Sequence, residues 1–63
     1  KEMTEMTITF GYASMNDVMK VVKQRNLEIT RREFDNTCLL SFALPLDETE
    51  ALAAALPEGV SIC

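Results

Sequence analysis

Apolar and polar residues alternate at the start of the chain. Met6, Ile8 and Phe10 share one parity, with Glu5, Thr7 and Thr9 on the other. Period two with β-branched residues predicts a half-buried strand over 3–11, closed by Gly11. The period then changes. Met15, Val18, Met19, Val21 and Val22 recur at helical spacing and make one apolar stripe, while Lys20, Lys23 and Gln24 fall outside it. Ser14 is placed to cap this helix, and Asp17 suits its positive end. Arg25-Asn26 ends it, because Asn tolerates the left-handed conformation that closes a helix.

Leu27 and Ile29 open a second strand, in which strict alternation fails. Counting by two from Ile29 reaches Arg31 and Glu33, and leaves Phe34 on the other parity. Either Phe34 faces the opposite side of the sheet or a bulge shifts the register. Asp35-Asn36 supplies turn chemistry. A third strand follows from Thr37, with Cys38, Leu40, Phe42 and Leu44 on one face and Thr37, Leu39, Ser41 and Ala43 on the other. It carries no charge, which predicts a central strand, and Pro45 ends it. Asp47 and Glu50 read as a second helix start. Leu46 and Ala51 are candidates for a hydrophobic staple, and Ala51, Leu52, Ala55 and Leu56 for the buried stripe. Pro57-Glu58-Gly59 stops that helix, and Val60 and Ile62 read as a short last strand.

The predicted order is β-α-β-β-α-β, an α+β ferredoxin-like sandwich with a four-stranded antiparallel sheet and two helices on one face. The first and third strands are then central, and the charged second strand is an edge. The 63 residues make one domain. The chain opens on Lys, and we expect it to be the C-terminal part of a longer parent.

Charge changes this picture locally. The net charge is −4, which argues against nucleic acid as a ligand of the whole surface. Yet Lys20, Lys23, Arg25, Arg31 and Arg32 stand against a single acid, Glu28, whereas residues 33–63 carry acids and no base. The five cations are a candidate RNA or partner contact. A solvated helix face together with edge-strand charges that prevent aggregation explains them more simply. RNA-binding sheets of this topology display stacking aromatics on the open face. Here Phe10 and Phe42 share the core parity instead. The open face, with Thr7, Thr9, Leu39, Ser41 and Ala43, has no element left to cover it and is the expected partner surface.

Catalytic chemistry finds little foothold. The chain has no His, so nothing activates Cys38, which reads as a buried inert thiol in an apolar strand. Cys63 reads as an exposed terminal thiol, too far from Cys38 for a bridge. Neither a metal nor another cofactor is expected, since Asp47, Glu48 and Glu50 suit a helix start better than a cation site. Gly11-Tyr12-Ala13-Ser14 precedes a helix N-terminus but reads as a plain strand-to-helix turn, and no carboxylates are paired by a recognisable motif. No apolar run approaches the length of a membrane span, and two cysteines suit a reducing, cytoplasmic setting. A copper-transport domain would need Cys-x-x-Cys in the first loop, and an acylphosphatase-like site an Arg there. Both are absent.

Ile8-Thr9-Phe10-Gly11-Tyr12-Ala13, the run Phe34-Asp35-Asn36-Thr37-Cys38-Leu39-Leu40-Ser41-Phe42-Ala43-Leu44-Pro45 and the Ala/Leu/Glu-rich helix after it carry a family likeness. The chain resembles the small C-terminal domain of bacterial Impact-like proteins of the YigZ type. The likeness rests on Tyr12-Ala13 after the first strand, an aromatic before the third, and Ala43-Leu44-Pro45 ahead of the second helix. Phe34 departs from the family, which often has Tyr there. The resemblance implies a ferredoxin-like fold similar to the last domain of elongation factor G, and a larger ribosomal-protein-like N-terminal domain in the parent. It implies no catalytic residue here. It implies a non-enzymatic binding or regulatory module, with that N-terminal domain or another protein as partner, and with RNA, ribosome or translation factors as further contacts. The alternative is a small-molecule-sensing regulatory domain that dimerises.

Overall fold

A computed structural model describes residues 2–63. Its strands are β1 (Met3–Phe10), β2 (Glu28–Phe34), β3 (Cys38–Pro45) and β4 (Ser61–Ile62), and its helices are α1 (Met15–Gln24) and α2 (Thr49–Ala55). The strands form one antiparallel sheet in the order β2-β3-β1-β4. This is the ferredoxin-like α+β arrangement expected from the alternation of periods. β1 and β3 are central and pair along their whole length, from Met3↔Pro45 to Phe10↔Cys38.

Parity sorts the two faces of the sheet. One carries Ile8, Phe10, Cys38, Leu40, Phe42 and Leu44, all buried. Val18 and Val22 of α1 and Leu52 of α2 join the same cluster, so both helices cover this face. The predicted stripe of α1 is borne out in full, with Met15, Met19 and Val21 packed around the buried valines. That of α2 is corrected. Leu52 and Leu56 pack inward at i, i+4, while Ala51 and Ala55 face solvent. A methyl group carries too little apolar area to set the helix rotation against two leucines.

The ends of the helices divide in the same way. Asn26 lies at φ 55. The amide of Leu27 donates to the Val22 carbonyl at 3.0 Å, and that of Asn26 to the Lys23 carbonyl at 3.2 Å. These are the two bonds of a Schellman closure, and Leu27 packs against the core beside it. The N-termini differ from expectation. Each helix is preceded by a 3-10 turn, Tyr12–Ser14 and Leu46–Glu48, and neither Ser14 nor Glu48 makes a side-chain cap bond at the helix start. The turns satisfy the first amides through the backbone instead, as in Ser14 N–H to the Gly11 carbonyl at 3.0 Å. Asp47 therefore sits inside a turn rather than at the cap of α2. Leu46 and Ala51 are both exposed, so no staple forms.

The register of β2 resolves as a bulge. Ile29 pairs with Phe42 and Arg31 with Ser41, leaving Thr30 as the extra residue. The bulge returns Phe34 to the helix side, opposite Cys38. Phe34 is nevertheless 46% exposed, because an edge strand extends past the helices that would cover it.

Two stability effects follow. Replacing Phe42, which is fully buried at the centre of β3, with Ala is expected to cost about 3–5 kcal/mol. That is a large share of the roughly 3–9 kcal/mol available to a domain of this size, so urea denaturation should find the unfolding midpoint of the variant lowered by about half or more. Asn26→Ala should cost about 1 kcal/mol through its left-handed backbone, whereas Asn26→Gly should match or slightly exceed the parent chain in the same assay.

Candidate binding surfaces

Residues of odd number in β1 and β3 point away from the helices and form the bare side of the sheet. Its rows are set by the pairing: Glu5, Ala43 and Glu28; Thr7, Ser41 and Arg31; Thr9, Leu39 and Glu33. All five residues expected on an open face, Thr7, Thr9, Leu39, Ser41 and Ala43, are thus neighbours in two adjacent strands. Thr7 Oγ1 and Ser41 Oγ lie 2.7 Å apart at the centre. Ser41 is only 3% exposed, although no helix lies over it. Its small side chain is walled in by the longer residues on each side, and its hydroxyl is satisfied by Thr7, so its burial costs little.

Charge borders this centre along β2 and at Glu5, and the strand alternation did not disclose it. Glu5, Glu28 and Glu33 share the bare side with Arg31. Thr30 donates to Glu5 Oε2 at 2.5 Å from the opposite side of β3, a bond made possible by the extra length of the bulge. Arg31 Nε donates to Glu33 Oε2 at 2.6 Å, and the pair is solvent-exposed. Such a pair contributes little to stability. Its importance is that the rim of the bare side is largely acidic, which repels phosphates.

The five cations do not share one face. Lys20 and Lys23 are exposed on α1, and Arg25 follows its last turn. Arg31 is opposite Ser41 on the bare side, while Arg32 is opposite Leu40 on the helix side. Consecutive strand residues must point to opposite faces, so Arg31 and Arg32 cannot contribute to one surface in the way their adjacency in sequence suggests. The strand aromatics Phe10, Phe34 and Phe42 all lie on the helix side.

At the far end of the sheet, Tyr12 is 54% exposed, and its hydroxyl donates to the Asp35 carbonyl at 2.7 Å. The 3-10 turn after β1 is thereby tied to the β2–β3 turn across the end of the sheet. That gives the Tyr of the Tyr12-Ala13 pair a structural task. Cys38 is buried and Cys63 exposed, and both are free thiols. Among the described residues, no group of three or more His, Cys, Asp and Glu side chains is placed to hold a metal ion. No helix among them is long and apolar enough to cross a membrane. Searches against family models, curated proteins and solved structures return no match to this chain.

The two thiols provide a direct check on this packing. In native protein, one equivalent of a thiol reagent is expected to react rapidly, at Cys63, and the Cys38 equivalent only at the rate of global unfolding. Rapid reaction of both would show that β3 is not the buried centre of the sheet.

Proposed function

We propose that this chain is a non-catalytic docking module that receives a partner protein on the bare side of its sheet. The observation that carries this reading is the central patch of Thr7, Thr9, Leu39, Ser41 and Ala43. It is free of charge, lies in two fully paired central strands, and faces away from both helices. A rigid, weakly polar centre with a charged rim is the ordinary anatomy of a protein interface. The likeness to Impact-like proteins points to the larger domain of the parent protein as the occupant. Free thiols fit a reducing, cytoplasmic setting.

Direct RNA contact is the lesser reading. The bare side has an acidic rim and no aromatic platform, which leaves Lys20, Lys23 and Arg25 around α1 as the basic group available to phosphates. Translation factors or the ribosome would then be met through protein surfaces or through that helix.

The test is a titration of isotope-labelled chain with the larger domain of the parent. Amide shifts should move at Thr7, Thr9, Leu39, Ser41 and Ala43, and Leu39→Lys should abolish them while the rest of the spectrum stays folded. Shifts limited to Lys20, Lys23 and Arg25, and produced by RNA, would replace this reading with the nucleic-acid one. No shift with either ligand would remove both.

A further inference from the structure

We propose that β2 is a self-recognition edge, through which two copies of this chain pair antiparallel about a dyad at Arg32, with Arg31 of each copy facing the partner's Glu33. The pairing uses the backbone edge of the sheet, and the side chains that select its register, Arg31 and Glu33, lie at the border of the bare side.

The backbone determines which residues of β2 can bond outward. The Thr7 carbonyl accepts from the Cys63 amide at 2.9 Å, so the polar groups of Thr7 point to β4 and away from β3. Ser41, the partner of Thr7, must then turn its own N–H and C=O toward β2, where it meets Arg31. Alternation leaves Arg32 and Phe34 with their N–H and C=O directed to the outer edge of β2. That edge has no neighbouring strand in the sheet. A second β2 placed antiparallel with Arg32 opposite the partner's Arg32 forms a hydrogen-bonded pair on the dyad. On either side, Arg31 and Glu33 fall at non-hydrogen-bonded positions, where opposed side chains come closest.

Charge selects this register. Centring the dyad on Glu33 sets it against the partner's Glu33, and centring it on Arg31 sets guanidinium against guanidinium. Within the segment that ends at Phe34, only the Arg32-centred register puts unlike charges opposite each other, and it does so twice, at the cost of setting Arg32 against the partner's Arg32. Arg31 and Glu33 already bond within one strand. In the dimer the four groups close into an alternating ring, which the multiple donors of each guanidinium can serve. The bulge at Thr30 limits the paired segment to Thr30–Phe34, so the contact is short, and because both copies use the same edge it closes at two copies. Arg32 opposes it on the helix side. There the two guanidinium groups approach each other at the dyad, each lying diagonal to the partner's exposed Phe34, within reach of a cation–π contact. The association is therefore weak and weakens further with salt.

Sedimentation equilibrium over a concentration series at low salt tests this, with circular dichroism confirming that each variant is folded. The parent chain should shift from monomer to dimer mass. Arg31→Glu and Glu33→Arg, each alone, should weaken dimerisation by about tenfold or more, since each converts two attractive pairs to repulsive ones. An equimolar mixture of the two variants should dimerise, because glutamates at both positions in one chain then meet arginines in the other. The double exchange, Arg31→Glu with Glu33→Arg, should restore self-association. A parent chain that stays monomeric throughout the series overturns the proposal. So does a dimer indifferent to either single change, a mixture that fails to associate, or open-ended growth beyond two copies.

Discussion

The pairing of β3, along its full length with β1 and from Cys38 to Ala43 with β2, is the constraint on which the rest of this small domain depends. Cys38, Leu40, Phe42 and Leu44 present an unbroken apolar row, and all four are buried. The row on β1 that ends in Ile8 and Phe10 lies beside it, and α1 and α2 have no other surface on which to bury their valines and leucines. A domain of this size has little apolar area to spare. Loss of registry between β1 and β3 would therefore expose the core and the bare side together. The same pairing that buries Phe42 holds Thr7 against Ser41 and Thr9 against Leu39 on the other face, so the candidate docking surface takes its shape from the core beneath it.

The edges of the sheet are handled unequally. On the β4 side, pairing with β1 covers only Ile8 and Thr9 in register. On the other side β2 is long, charged and bulged. Charge and a bulge are the ordinary means by which an edge avoids indiscriminate pairing. In β2 they also impose a pattern, because the bulge limits the usable length and the order Arg31-Arg32-Glu33 favours one register over its neighbours. Protection against aggregation and selective self-pairing draw on the same few residues.

Electrostatics separates the surfaces further. The acidic tail of the composition contributes through Glu33, and with Glu5 and Glu28 it makes a negative border on the β2 side and at one end of an uncharged centre. The cations concentrate on α1 and its C-terminal end, where they also favour the helix dipole. A partner that engaged both regions would have to meet a negative rim on one side of the sheet and a positive helix on the other. The reading in which a protein covers the bare side avoids that conflict.

The pattern of apolar, charged and turn-forming residues along the chain was enough to give the element order, the central position of β3, the stripe of α1 and the left-handed Asn26, because each of these is dictated by local geometry and by which side chains must leave water. It also placed Thr7, Thr9, Leu39, Ser41 and Ala43 together, since strand parity alone assigns a face. It could not choose between a bulge and an inverted Phe34. That choice depends on whether β3 offers Phe34 a place beside Cys38, which is a property of the assembled sheet. It grouped Arg31 with Arg32, which the pleat separates, and it assigned helix caps to side chains where the tertiary path from strand to helix instead makes 3-10 turns. The bond from Tyr12 to Asp35 and that from Thr30 to Glu5 join residues far apart in the chain and leave no local signal. Local chemistry determined what the elements are. Only the packed sheet decided which faces they show to each other, and therefore which residues are free to meet a partner.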